Sequence, residues 1–145
     1  MAHRTVIGLH LVIICNQRVL LGFRTTPKWG NRMWHLPAGH LEEGESILAG
    51  MAREAKEELG IVISEDDLEL IHTLHHRDNG DGPGRIQLFF FPHKYEGDIV
   101  NNEPTNCGEL RWFRLDDLPE DIVAYAVTAL DGILAGHRVS VEGWN

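Results

Sequence analysis

The sequence predicts an α/β fold in which mixed strands lie between two helices. Three observations carry this expectation. Apolar runs of strand length, rich in β-branched and aromatic residues, recur along the chain: "RVLLGFR", "LELIHTLHH", "RIQLFFF" and "ELRWFRL". One segment, Ser46 to Leu59, sets its apolar residues at helical spacing and stops at Gly60. A second apolar segment of helical length, "VAYAVTALDGIL", lies near the C-terminus. The 145 residues suit one ordinary domain, residues 1–145, and neither repeats nor linkers divide them.

The elements follow in order. A first strand is expected over Thr5 to Cys15, a turn at "NQ", and a returning strand over Arg18 to Arg24. "TTPKWGNRM" reads as a loop by its Pro, Gly and Asn content. "WHLPAGHL" is a short strand interrupted by Pro37 and Gly39. The helix over Ser46 to Leu59 comes next, then the strand "LELIHTLHH", the turn "RDNGDGPG" and the aromatic strand "RIQLFFFPHKY". The polar loop "EGDIVNNEPTNCG" leads to the strand "ELRWFRL". "DDLPEDI" opens the second helix, with Asp116 and Asp117 as its cap, and that helix runs to about Ala135. The tail "GHRVSVEGWN" shows no clear pattern.

Composition narrows the function. At 43% hydrophobic residues the chain can build a core, yet no segment approaches the roughly 20 apolar residues of a membrane span. The N-terminus lacks a basic region followed by a long apolar stretch, so neither a signal peptide nor a membrane partner is expected. Cys15 and Cys107 make no disulfide framework and fit reduced thiols in the cytoplasm. A net charge of -9 argues against duplex nucleic acid as a partner. It does not exclude a phosphorylated small molecule, because divalent cations can sit between phosphate and an acidic site.

On the first helix, at about 100° per residue, Ile47, Leu48, Met51, Ala52, Ala55 and Leu59 form one apolar stripe. Glu54, Glu57 and Glu58 fall side by side next to it, and like charges at this spacing destabilise a helix. Arg53 sits one turn before Glu57 and can pair with it, whereas Lys56 points elsewhere. A solvated acidic face would explain the cluster, and so would a set of oxygen ligands for Mg²⁺.

The spacing decides between them. Gly39 is followed by five residues and Glu45; seven more lead to Arg53-Glu54-Ala55, one residue, Glu57-Glu58, one residue, Gly60 and Ile61. This resembles the Nudix box, G-x5-E-x7-R-E-U-x-E-E-x-G-U, with Ala55 at the first bulky aliphatic position as the one soft departure. "WHLPAGHLEEGES" and "NNEPTNCGELRWFRLDDLP" are also similar to segments of MutT-like relatives. The resemblance implies a Nudix α/β/α sandwich with a mixed sheet between helices. It implies Mg²⁺-dependent hydrolysis of a nucleoside diphosphate linked to another group, foremost a nucleoside triphosphate cut to monophosphate and pyrophosphate, with Mn²⁺ able to substitute. It leaves open a nucleotide-sugar or dinucleoside polyphosphate hydrolase and, in another class, an inert nucleotide-binding module. Relatives are often dimers, so a homodimer is among the arrangements implied.

Roles follow position by position. The implied metal ligands are Glu54, Glu57, Glu58 and the Gly39 carbonyl, with Glu103 as a further carboxylate and Glu109 as its fallback. Glu54 or Glu57 is the implied base, Glu54 ahead by analogy with MutT. Arg53 joins the catalytic set by orienting a glutamate, Glu45 braces the box, and Gly44 and Gly60 permit its turns. Arg24 and His40, with Lys28 and His35 beside them, are the expected phosphate contacts. Trp34 and Phe90 could stack on a base or pack in the core. His72, His75 and His76 cannot converge on zinc from one strand, because His75 takes the opposite face from the other two.

Overall fold

The computed structural model describes residues 1–25, 31–77 and 82–144. Lys28 and the centre of the "RDNGDGPG" turn lie outside them. Two sheets share the chain. The larger is five-stranded and mixed, in the order β5-β1-β7-β6-β9: β5 (Ala38–His40), β1 (Ile7–Leu11), β7 (Arg85–Pro92), β6 (Leu68–His76) and β9 (Val139–Glu142). β1 runs parallel to β7 and β6 parallel to β9, while the other two pairings are antiparallel. In the smaller sheet β3 (Arg18–Arg24) is central. β8 (Cys107–Arg114) pairs along one edge, and β2 (Ile14–Cys15) and β4 (Trp34–His35) share the other. Asn16 and Gln17, both at positive φ (51° and 63°), make the two-residue hairpin turn between β2 and β3.

Three expectations need correction. Thr5 to Cys15 is not one strand: β1 belongs to the larger sheet and β2 to the smaller. Between them the Val12 amide still donates to Phe90 O (2.8 Å), while Ile13 O already accepts from Leu20 (3.1 Å). "WHLPAGHL" likewise divides, with β4 in one sheet and β5 in the other; Pro37, which has no N–H to donate, lies in the gap. Asp116 and Asp117 do not cap the second helix. Asp116 instead receives two hydrogen bonds from Arg114 (2.9 and 3.0 Å), and helix α2 begins later, at Ala124–Leu134. The patternless tail forms β9, and a 3-10 turn at Glu65–Asp67 precedes β6.

Helix α1 (Ile47–Leu59) forms where expected. Ser46 caps it by accepting from the Ala49 amide (3.1 Å), and Gly60 closes it in the left-handed region at φ 70°. Its stripe of Met51, Ala55 and Leu59 is buried against Leu9, Leu11, Leu88 and Phe90. Alternation sends the neighbouring Phe89 and Leu74 to the opposite face, where they meet Val12, Val19, Leu21, Trp34 and the α2 residues Tyr125, Ala126, Ala129 and Leu130. The larger sheet is therefore covered on both faces, which gives the α/β/α sandwich.

Candidate active site

The site begins with Arg53. Its guanidinium forks onto Glu45, with Nε on Oε2 at 2.9 Å and Nη2 on Oε1 at 2.7 Å. Nη1 donates to Glu54 Oε1 (2.9 Å) and Glu57 Oε2 (3.0 Å), and Nη2 also reaches the His40 carbonyl at 3.2 Å. One planar cation thus fixes three carboxylates and the strand–helix connection at once. The guanidinium holds the Glu45 carboxyl down at about 2, aided by the Glu42 amide. Gly44, at φ 85°, provides the turn that brings Glu45 under Arg53.

Glu54 and Glu58 meet a different environment. The Glu54 carboxyl lies directly over Gly39, so closely that a Cβ there would stand 2.0 Å from its carboxyl carbon. Burial raises the Glu54 pKa against the pull of Arg53, and the charges of Glu57 and Glu103 add to the rise. Glu58 accepts from the Ala38 amide at 3.0 Å. Burial pushes its carboxyl up to about 8, with further repulsion from Glu54 and Glu103 and relief from Arg24 and the Ala38 amide. Glu57 remains half in solvent.

Of these groups, Glu58 lines a cleft of about 340 Å³ between the two sheets. Glu58 and Leu59 come from α1, Ala38 from β5, and Phe23 and Arg24 from β3. Asn101, Glu103 and Asn106 come from the loop before β8, and Cys107 and Leu110 from β8 itself. Arg24 therefore stands beside Glu58 as expected at the end of its strand. Glu103 reaches the same cleft, its carboxylate accepting from Asn106 Nδ2 at 3.2 Å.

Other expected residues lie elsewhere. His40 has an exposed side chain that is not in the cleft lining. Glu109 is exposed and chelated by Arg111 at 2.9 and 3.0 Å. Trp34 packs in the core between Phe23 and Phe113, and Phe90 is fully buried. His72 bonds to Ser140 Oγ (2.8 Å) and the His137 carbonyl (2.9 Å), while His76 accepts from Gln87. His35 does line the cleft, but its nitrogens are engaged: the Leu36 amide donates to Nδ1 (2.8 Å), and Nε2 meets the Tyr125 hydroxyl at 2.7 Å. Phe23, Asn101 and Leu110 were not singled out by the sequence, nor was Cys107 as a cleft residue. Their local pattern is that of ordinary strand and loop residues, and only the β3–β8 pairing, Arg24 opposite Cys107, brings them to the cleft.

Among the described residues no three carboxylate, imidazole or thiol groups stand in ready-made coordination geometry. The chemistry of the donor set nevertheless suits a hard divalent cation. Carboxylates are gathered against one another, and one is driven so far toward its neutral form that a cation would hold it ionised.

Comparison with known proteins identifies the family and the fold. The oxidized purine nucleoside triphosphate hydrolase of Mus musculus is 32% identical over 111 residues, 75% of this chain and 66% of its own length. The 8-oxo-dGDP phosphatase NUDT18 of Homo sapiens is 27% identical over 107 residues, 72% of this chain but 31% of its own length. This chain thus spans just under two thirds of one relative and about a third of the other. The crystal structure of a MutT NUDIX hydrolase from Burkholderia pseudomallei matches with a TM-score of 0.78 at 28% identity, covering 89% of this chain and 98% of that one. Residues 6–131 match the NUDIX domain, and the chain belongs to the Nudix hydrolase family, with a MutT-like fold.

Proposed function

We propose that this protein hydrolyses a phosphoric anhydride bond in a nucleoside diphosphate derivative. Its main substrate in this reading is a nucleoside triphosphate, oxidised purine forms included, cut to monophosphate and pyrophosphate in the cytoplasm. The observation that carries the proposal is the surplus of carboxylate at one cleft. Glu103 disfavours the charge of both Glu54 and Glu58, Glu54 adds to the effect on Glu58, and Arg24 is the basic side chain beside Glu58. A fold stabilises little by such an arrangement, whereas phosphate chemistry through cations requires it. The printed name of the mouse relative supports oxidised triphosphates as the first substrates to try.

Mg²⁺, or Mn²⁺ in its place, would be held by Glu54, Glu57, Glu58, Glu103 and the Gly39 carbonyl. When bound, such a cation lowers the pKa of water and offsets charge developing on phosphate oxygens. The remaining roles belong to the chain. Arg53 fixes Oε1 of Glu54 and leaves Oε2 as the atom that takes a proton from the attacking water. The raised proton affinity of Glu54 suits that task, and Glu57 is the alternative base. Arg24 pairs with a substrate phosphate, and Phe23 and Leu110 give the base an apolar wall.

The test is kcat/KM with Mg²⁺ over normal and oxidised nucleoside triphosphates, nucleotide sugars and dinucleoside polyphosphates. Triphosphates should lead the series. In isotopically labelled water the label should enter pyrophosphate, which reports attack at the β-phosphorus. Orthophosphate as first product, or no turnover across the whole panel, overturns the proposal.

A further inference from the structure

β9 breaks the pattern of a surface strand. Its polar residues point inward: Ser140 Oγ bonds to His72 Nε2 at 2.8 Å, and the Glu142 carboxylate bonds to the Thr128 hydroxyl of α2. Its apolar residues point out, Val139 being 65% and Val141 64% exposed. They lie on the face that α1 covers further along, but α1 packs on β1 and β5 at the other end of the sheet. Trp144 packs tilted on His75, the residue paired with Val141, at 4.3 Å between ring centroids.

The strand also ends the sheet among the described residues. The carbonyls of Arg138 and Glu142 are taken by the Thr73 and Arg77 amides of the β6 side, at 2.9 and 3.0 Å. By alternation, the N–H and C=O groups of Val139 and Val141 point to the open edge. Edge strands are normally blunted by proline, lysine, a bulge or a covering loop. "VSVE" carries none of the first two, and no bulge interrupts its register with β6, so its protection rests on its four-residue length and the inward-pointing Glu142.

We infer that β9 is a self-pairing edge, and that its occupant is the β9 of a second copy of this chain, antiparallel across a two-fold axis at Ser140. This register closes on every count. Val139 and the partner copy's Val141 become a hydrogen-bonded pair, so the two outward residues of each strand supply four main-chain hydrogen bonds. The four valines meet on the open face. On the other face, exposed Arg138 stands opposite the second copy's Glu142, whose carboxylate also holds Thr128 of its own α2, twice by symmetry, so the charges are complementary. The result is a continuous ten-stranded sheet from two five-stranded ones.

Sedimentation equilibrium of the full chain tests this. The wild type should approach twice 16.4 kDa with rising concentration. Val141→Pro removes only an outward donor, leaves the bonds to β6, and should make the protein monomeric, with the melting temperature of the wild type diluted below its dimer Kd. Arg138→Glu should raise the dimer Kd at least about tenfold, and adding Glu142→Arg to it should restore pairing. This charge swap decides the matter even if the proline variant fails to fold. A wild type that stays monomeric overturns the inference, and so does a dimer indifferent to both Arg138→Glu and Val141→Pro.

Discussion

Two buried polar regions of this molecule handle the same problem in opposite ways. In the core under α2, burial holds His10 and His35 neutral, and most groups are paired. His10 Nε2 donates to Gln87 Oε1 at 2.6 Å, Gln87 Nε2 donates to His76 Nε2 at 2.9 Å, and His35 Nε2 meets the Tyr125 hydroxyl at 2.7 Å. Rings stack around them, His10 on Phe89 and His76 on Tyr125. At the cleft, groups of one sign are crowded together, and Arg53 neutralises only the outer half of them. The neutral network stabilises a unique core. The charged one stores an unfavourable interaction that a bound cation would relieve.

The largest expected effect comes from breaking the charged side. Glu58→Gln should lower kcat by about a thousandfold, as for loss of one electrostatic group in a reaction site. In chelator the same variant should be more stable than the wild type at pH 8. The sign follows from the raised pKa. Between about 4.5 and about 8 the folded wild type holds a proton on Glu58 that the unfolded chain releases, so metal-free stability falls as pH rises through this window. Melting curves across this range should show the slope in the wild type and a flatter profile in the variant.

Arg53→Ala sharpens the contrast from within the charged region. It frees Glu45, Glu54 and Glu57 without touching the cleft, so kcat should fall about 10–100-fold, as for loss of a group that orients ligands, with little change in KM. Arg53→Lys should fail to restore it, because one ammonium cannot reproduce the fork. A normal kcat with a large rise in KM would make Arg53 a substrate contact instead.

On the neutral side the effect should fall on stability alone. Gln87→Leu removes both partners of a bridge between two histidines and should cost about 1–3 kcal/mol for each ring nitrogen stranded. KM and kcat should hold at a temperature well below melting. Acid attacks the same region. Burial lowers His10 from 6.5 to about 4 and takes His35 well below its usual range, so both stay neutral when folded. Their contribution is present above pH 6.5 and is lost as pH falls below it, through about 4 for His10, opposite in slope to that of Glu58. The Glu58→Gln variant isolates this acid limb in melting curves. The smallest effect is Ser46→Ala, which removes the cap of α1 at about 1 kcal/mol and leaves the pH profile unchanged.

What the sequence made legible was local. The stripe of Met51, Ala55 and Leu59, the stop at Gly60 and the Arg53–Glu57 pair are all set by helical spacing, and each stands where spacing put it. Glu45 beneath Arg53 followed from the motif, not from spacing. What stayed hidden depended on distant partners. Nothing in "VIGLHLVIIC" marks Val12 and Ile13 as the point of exchange between sheets, because Phe90 and Leu20 decide it. "RVSVE" alternates like a strand but is only a few residues long, and nothing local shows that its polar residues face inward to His72 and Thr128. Asp116 and Asp117 had the chemistry of a helix cap but were claimed by a nearer arginine turn. The cleft wall of Phe23, Cys107 and Leu110 exists only once β3 and β8 are paired.

The double exchange of the chain between sheets, at Val12–Ile13 and again at Leu36–Pro37, has a consequence for how such a protein can diversify. The carboxylates Glu54 and Glu58, proposed to carry the chemistry, ride on α1, packed on the larger sheet, whereas Phe23, Cys107 and Leu110 belong to the smaller one. Mutation can therefore resculpt one wall of the cleft while the other stays intact. Selectivity and reactivity become separately heritable, and a lineage can change what it accepts without relearning how to cut.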